Sequence, residues 1–254
     1  SEAFELISEW NQRCEPQWTT EELNYKIREA REKGRGPIGH LKDRKPDDSS
    51  LWSIVEANAA PVAFHPVTAG QFIADNPTLR EPIIQNVLRR GETLNVICSP
   101  KAGKSWLLLD LLLSVATGRK WLDHFEVLQG PVVLVDNELH PETLAHRIRT
   151  VAKAKGIEPE EYADNLQIFA VRGKAYDLVK LHKYLTSPDG PPRGYYRLVA
   201  IDAFYRILPT GTDENDNGGI RDVYNLVDQI AEATDSAFVM IHHSSKGNQA
   251  GKSV

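Results

Sequence analysis

A short loop of small and basic residues, Cys98–Ser105, lies between a strand-like apolar run and a helix-like apolar run. Its end, Gly103-Lys104-Ser105, matches the pattern G-x-x-x-x-G-K-S/T, in which amides of the loop and of the helix N-terminus surround phosphate groups. We expect Lys104 to contact the β- and γ-phosphates of ATP and the Ser105 hydroxyl to hold Mg²⁺. Cys98 occupies the first glycine position of the pattern, which is a departure from it.

Carboxylates follow two of the other apolar runs. Asp136 and Glu138 come directly after the first of these, and Asp202 ends the run that starts at Leu198. We expect Glu138 to orient or deprotonate an attacking water, with Asp136 as the competing choice for this base. An aspartate that ends a buried strand is costly to desolvate without a metal or a donor. Asp202 is therefore predicted to bind Mg²⁺, directly or through water, together with Ser105.

Two adjacent histidines, His242 and His243, end the last apolar run. Because neighbouring strand residues point to opposite faces, we expect only one of them to contact the γ-phosphate. A zinc site is the alternative, although the sequence shows no complementary Cys or His spacing elsewhere. The acidic, glycine-rich segment 210–219 is either a solvated turn or a mobile element near the Mg²⁺ or a DNA channel.

From about residue 63 onward, strand and helix patterns alternate, which predicts a parallel sheet covered by helices on both faces. In such sheets the site lies beyond the carboxyl ends of the strands. The predicted strands are Thr93–Cys98, Pro131–Asp136, Leu166–Val171, Leu198–Asp202 and Phe238–His242. The predicted helices run from Lys104 to about Thr117, from Pro141, over 176–186 and over 218–233.

The N-terminal region differs in composition from this alternating part. Residues 1–35 are predicted to form a helical hairpin, in which Thr19 and Glu22 provide a capping box for the second helix. The basic residues of that helix predict a solvated face or a nucleic-acid contact. Residues 36–62 are rich in Gly, Pro, Asp and Ser and are predicted to be a linker. We assign 63–254 to one core, and expect the chain to be an excerpt whose core is truncated at its C-terminus.

Bulk composition excludes several classes of protein. The 254 residues are 41% hydrophobic and 26% charged with a net charge of −5, which predicts neither disorder nor a generally basic coat. Two distant cysteines, Cys14 and Cys98, predict no disulfide framework. The longest apolar run, Trp106–Ala116, is interrupted by Asp110 and is too short to span a bilayer. We expect a soluble cytoplasmic protein.

Taken together, segments over roughly residues 80–254 resemble the RepA-like AAA-type ATPases, a RecA-fold group that includes hexameric plasmid replicative helicases. The matching pieces are Ser99–Trp106, Glu138, Asp202 with Tyr205, the stretch 211–216 and the run His242-His243-Ser244-Ser245-Lys246-Gly247. This resemblance implies an α/β, RecA-like P-loop NTPase with ATP and Mg²⁺ as cofactors. It also implies that Glu138 is the catalytic base and that His243 is the sensor. The expected catalytic residues are Glu138, Lys104 and His243. The residues expected to bind nucleotide are Ser99, Pro100, Lys101, Ala102, Gly103, Lys104, Ser105, Trp106 and His242.

The same resemblance implies the motor core of a replication helicase that works as a homo-oligomeric ring, such as a hexamer, on single-stranded DNA. The hairpin resembles the tail of a primase C-terminal segment of the PriCT type, which implies a primase-helicase. An arginine finger from a neighbouring subunit would come from sequence after Val254, so we expect slow hydrolysis by residues 1–254 alone. A regulatory RecA-fold ATPase without translocation is the alternative. A small-molecule kinase is less favoured, since no arginine-rich lid follows the strands.

Overall fold

The computed structural model describes residues 2–12, 14, 16–33, 65–99, 101–209 and 217–243. The chain divides into two units, Ser1–Asp48 and Ser49–Val254. Several predicted features lie outside the described residues: the linker over 36–62, Pro100 of the phosphate loop, the acidic loop over 210–216 and the residues after 243.

Two helices form the described part of the first unit, α1 (Glu2–Asn11) and α2 (Thr20–Lys33). The Thr19 amide donates to the Glu22 carboxylate at 2.7 Å, and the Glu22 amide donates to the Thr19 hydroxyl at 3.3 Å. This is the predicted capping box, which satisfies amides that the helix itself leaves unpaired. The Asn11 side chain exchanges two hydrogen bonds of 2.8 Å with the backbone of Trp18. The amide of Asn11 thereby closes the connection between the helices.

The second unit is an α/β structure built on a five-stranded sheet with the order β3-β7-β6-β4-β5. Every pairing in this sheet is parallel. Its strands are β3 (Thr93–Cys98), β4 (Val132–Asp136), β5 (Leu166–Ala170), β6 (Leu198–Asp202) and β7 (Ala237–His243). A two-stranded antiparallel hairpin, β1 (Pro82–Ile84) with β2 (Leu88–Arg89), precedes it. The described helices are α3 (Ala69–Asp75), α4 (Lys104–Thr117), α5 (Pro141–Ala154), α6 (Pro159–Tyr162), α7 (Leu178–Thr186) and α8 (Asn217–Thr234).

Alternate residues of the central strands enter two separate hydrophobic cores. In β4, Leu134 packs with α4 and α5 on one face, whereas Val133 and Val135 pack with α7 and α8 on the other. Strands buried on both faces appear as continuous apolar runs, which is how β4 and β6 were identified in the sequence. The predicted parallel sheet flanked by helices is confirmed.

Glycines set both ends of α4, the helix that follows the phosphate loop. Gly103 precedes it with φ +91°, and Gly118 follows it with φ +76°. A side chain is strained in this left-handed region, so glycine is favoured at both ends. A Cβ on Gly118 would also lie only 3.1 Å from Gln129. The helix therefore begins and ends at the predicted residues, Lys104 and Thr117.

Four short described elements were not predicted: α3, the β1–β2 hairpin, α6 and a 3₁₀ helix over Phe204–Arg206. Each is too short to show a clear apolar period, which is the signal that sequence reading depends on. Over the described ranges, none of the helices combines the length and apolar character that crossing a membrane requires.

Candidate functional site

The phosphate loop joins β3 to α4 at the carboxyl edge of the sheet. Lys101 and Gly103 both have positive φ, +65° and +91°, so the chain turns sharply before the helix. The Ala102 amide donates to the Ser99 carbonyl at 3.4 Å. Among the described residues, no side chain caps the N-terminus of α4. The first amides of this helix therefore point out of its end with the geometry that suits a phosphate.

The Lys104 side chain is buried beneath this loop, with 6% of its surface exposed. Its ammonium donates to the carbonyls of Cys98 at 2.7 Å and Ser99 at 2.9 Å. A buried cation must be hydrogen-bonded, and these carbonyls satisfy that need. Phosphate oxygens carry full negative charge and are stronger acceptors than neutral carbonyls. The lysine is thus placed where a phosphate group can compete for its protons.

Two further predicted residues lie in the first turn of α4. Ser105 is half-buried, and Trp106 keeps 40% of its surface exposed. The Arg147 guanidinium of α5 lies 5.1 Å from the centre of the Trp106 ring, within range of a cation–π interaction. Trp106 is therefore exposed at the loop, and Arg147 covers one face of its ring.

Asp136 and Asp202 face each other in register at the ends of β4 and β6. Strand alternation places them on the same face as Leu134 and Ala200, which is the face that α4 covers. Both are almost completely buried, with 1% and 4% of their surface exposed. The sheet thus brings two carboxylates to the side of the phosphate loop and its helix.

The Asp136 side chain accepts hydrogen bonds from the backbone of the turn that follows it. Its Oδ1 accepts hydrogen bonds from the amides of Glu138 at 3.1 Å and Leu139 at 2.8 Å. Burial raises the pKa of Asp136 above its ordinary value, although these two hydrogen bonds oppose the shift. One oxygen of this carboxylate therefore acts as an acceptor for the backbone of its own turn.

Glu138 is more accessible, since 26% of its side chain is exposed. The Tyr205 hydroxyl lies 3.1 Å from its Oε1. Arg206 Nε lies 3.9 Å from the same oxygen, and Arg172 donates to the Glu138 carbonyl at 2.5 Å. Residues after β5 and β6 therefore hold Glu138 at the rim of the strand ends.

Asn137, which lies between the two carboxylates, joins β4 to the segment after β6. Its side chain donates to the Ala203 carbonyl at 3.0 Å and accepts from the Ala203 amide at 2.9 Å. Its own amide donates to the Asp202 carbonyl at 3.0 Å. The Asp202–Ala203 peptide is cis. Asn137 was not predicted as a site residue, because its contacts lie more than 60 residues away in sequence.

The two histidines of β7 lie at neighbouring positions of the strand. His242 Nε2 lies 2.8 Å from Asn95 Oδ1 and 3.3 Å from the Tyr224 hydroxyl, and its ring contacts Phe204. The His242 ring therefore packs on the face that carries α8. The backbone of His243 pairs with Cys98, at the start of the phosphate loop; its side chain lies outside the described residues.

Oxygen ligands suited to Mg²⁺ are present at this edge of the sheet, in the Ser105 hydroxyl and the buried Asp202 carboxylate. Mg²⁺ in phosphate sites needs only one or two protein oxygens, because phosphates and waters complete its shell. In the described part of the chain, no group of three or more His, Cys, Asp or Glu side chains could hold a metal. The donor set therefore fits Mg²⁺ bound together with a nucleotide.

Replacing Asp136 separates its structural contribution from its charge. Asp136→Asn retains an oxygen that can accept from the amides of Glu138 and Leu139, so we expect a stable protein that still hydrolyses ATP. Asp136→Ala leaves those amides without this acceptor and should cost about 1–3 kcal/mol of unfolding free energy.

Because the folded-state pKa of Asp136 is raised, its stabilising contribution is greatest at acid pH and is lost as pH rises through that pKa. The Asn variant should lack this part of the pH dependence. Urea unfolding curves recorded between about pH 3 and about pH 7, a range that includes the ordinary Asp pKa of about 3.9, check both expectations. Loss of hydrolysis in a folded Asp136→Asn protein would contradict the structural assignment.

A comparison with known families matches the same region. A family model described as an AAA domain matches residues 58–249. That range includes the phosphate loop, Glu138, Asp202 and both histidines, together with every strand of the five-stranded sheet.

Proposed function

The chain belongs to the AAA domain family, and we propose that this ATP-binding ATPase is the motor core of a DNA replication helicase or primase-helicase. The ATPase activity is supported by one observation: the buried Lys104 and the carboxylates Glu138 and Asp202 all lie at the same edge of the sheet. The helicase part depends on the resemblance of the 211–216 and 242–247 segments to the RepA-like ATPases.

In this proposal the loop Ser99–Trp106 surrounds the phosphates of ATP. The amides at the N-terminus of α4 and the Lys104 ammonium would bind phosphate oxygens, which develop negative charge in the transition state. Ser105 and Asp202 would hold Mg²⁺, which neutralises charge on the β- and γ-phosphates. The burial of Asp202 supports this role, because a cation offsets the cost of desolvating a carboxylate.

We assign the general base to Glu138 and the phosphate sensor to His243. Glu138 has an accessible carboxylate, whereas Asp136 accepts hydrogen bonds from its own turn. The packing of the His242 ring against Asn95 and Tyr224 on the α8 face supports His243 over His242 for the contact to the γ-phosphate. A water held by Glu138 would then attack the γ-phosphorus while the base takes up its proton.

Single-stranded DNA is the proposed polymer substrate. The proposed assembly is a ring of identical subunits. The hairpin carries two exposed aromatic rings, Trp10 on α1 and Tyr25 on α2, and α2 also carries the exposed basic residues Lys26, Arg28 and Arg31. Aromatic rings stack on bases and basic side chains contact phosphates, and both contacts tolerate any sequence.

One set of observations favours the alternative, a regulatory ATPase that does not move on DNA. Helix α2 also carries acidic residues, of which Glu29 pairs with Lys26 at 3.0 Å. The whole chain has a net charge of −5. Acidic side chains repel the phosphate backbone and weaken any contact made by the basic ones.

DNA binding separates the two functions. We expect a labelled oligo-dT to bind the chain. In the full-length protein, we expect single-stranded DNA to raise the ATPase rate and a forked duplex to be unwound. Arg28→Ala/Arg31→Ala should lower the slope of log K against log salt by about 1.4, from two phosphate contacts at about 0.7 each. Lys153→Ala, an exposed lysine on α5, is the matched control. No binding, no stimulation and no unwinding would favour the regulatory ATPase.

A further inference from the structure

A chain of hydrogen bonds leads from Arg206 to the Glu138 carboxylate. Arg206 Nε donates to the Tyr205 hydroxyl oxygen at 2.7 Å. The Tyr205 hydroxyl then donates to Glu138 Oε1 at 3.1 Å. Since the arginine has no acceptor, the direction of donation along this chain is set. The tyrosine proton must therefore point at the carboxylate.

This direction strengthens the contact to Glu138. A phenol that accepts a hydrogen bond from a cation becomes a better donor, because hydrogen bonds in a chain polarise one another. The hydrogen bond to Tyr205 raises the pKa of Arg206 above its ordinary value, so the cation stays charged. Both effects strengthen the hydrogen bond that fixes the orientation of the Glu138 carboxylate.

The surroundings restrain Arg206 and Glu138 as well. Arg206 Nη1 donates to the Asn137 carbonyl at 3.3 Å, so the guanidinium bridges the loop after β4 and the turn after β6. Arg172 holds the Glu138 carbonyl from the segment after β5. The Glu138 backbone and one of its carboxylate oxygens therefore have partners in the segments that follow two other strands, β5 and β6.

We propose that Tyr205 is a positioning residue for the catalytic carboxylate: its hydroxyl, oriented by Arg206, holds Glu138 Oε1 and sets the direction from which Glu138 meets the attacking water. This inference rests on the proposed function, because it needs Glu138 to be the base. Tyr205 keeps 39% of its surface exposed, so the burial of its ring does not account for its place beside Glu138.

Tyr205→Phe tests the proposal, since it removes only the hydroxyl. With excess protein and radiolabelled ATP·Mg²⁺, we expect the rate constant for hydrolysis to fall about tenfold, as for loss of one hydrogen bond to a charged group. The ATP concentration at half-saturation should stay within about twofold, because the change leaves Lys104 and the amides at the N-terminus of α4 in place. A loss of structure would instead change both values and the melting temperature.

Tyr195→Phe is the matched control. This tyrosine is also exposed and its hydroxyl also accepts a hydrogen bond, from Gln167 at 3.2 Å, but it precedes β6 at the opposite end of the strand. We expect its hydrolysis rate to equal that of the unaltered protein. Equal rate losses in both Phe variants would overturn the proposal.

A double variant tests whether the hydroxyl acts through Glu138. Tyr205→Phe should slow the unaltered protein but should not slow Glu138→Gln any further, because the base it positions is already gone. If Glu138→Gln is inactive and Tyr205→Phe hydrolyses ATP at the normal rate, the positioning role is wrong and the proposed function stands. If Glu138→Gln hydrolyses ATP normally, the assignment of the base is wrong, and the positioning role fails with it.

Discussion

Lys104→Ala is expected to weaken the binding of ATP·Mg²⁺ about 100-fold. The ammonium is buried at the loop and lies 2.7 and 2.9 Å from its present acceptors, so phosphate oxygens can replace them without a large movement. Two charge-assisted hydrogen bonds of about 1.5 kcal/mol each give this factor, at about 1.4 kcal/mol for every tenfold change in affinity. Calorimetric titration with ATP·Mg²⁺ measures it directly.

Lys153→Ala provides the control for that experiment. It makes the same substitution at an exposed position near the end of α5, and should leave the affinity unchanged. Thermal unfolding of both variants separates a lost phosphate contact from a lost fold. Normal ATP affinity in folded Lys104→Ala would exclude the loop as the phosphate site.

Glu138→Gln is expected to retain ATP binding and to lose hydrolysis by a factor of about 10²–10⁴, the usual contribution of a general base. Glutamine has nearly the same shape as glutamate and keeps an oxygen that can accept from Tyr205, so the local structure should persist. It cannot take up a proton from water. Release of radiolabelled phosphate measures the rate, and a titration as above measures the affinity.

Asp136→Asn is the matched control, because it makes the same change of carboxylate to amide two residues away. We expect it to hydrolyse ATP at a rate close to that of the unaltered protein. The opposite result, with Asp136→Asn inactive and Glu138→Gln active, would transfer the role of base to Asp136. Both variants inactive would indicate that the pair acts as one unit.

The strands and helices nearest the site were predicted almost to the residue. Thr93–Cys98, Lys104–Thr117 and Leu198–Asp202 have the predicted bounds. These bounds are set locally, by apolar runs that a carboxylate or a glycine ends and by the positive φ that Gly103 and Gly118 adopt. A local cause leaves a local signal, which sequence analysis can detect.

The order of the strands left no such signal. β7, the last described strand, pairs with both β3 and β6 and so lies between the phosphate-loop strand and the strand of Asp202. Which strands pair depends on how two hydrophobic cores fill the space above and below the sheet. The sequence predicts a parallel sheet, but its order depends on packing between residues far apart in the chain.

Sequence analysis alone could predict the phosphate loop, the acidic residues that follow β4 and β6, and the paired histidines, since each is a fixed pattern at the end of an apolar run. The different environments of Asp136 and Glu138 were not visible in the sequence: the first accepts hydrogen bonds from its own turn, and the side chain of the second is 26% exposed. Only the tertiary structure brought Arg206 and Tyr205 to Glu138. The physical reason is distance along the chain: a contact between residues 67 apart is produced by strand pairing and core packing, and neither leaves a mark on the local sequence.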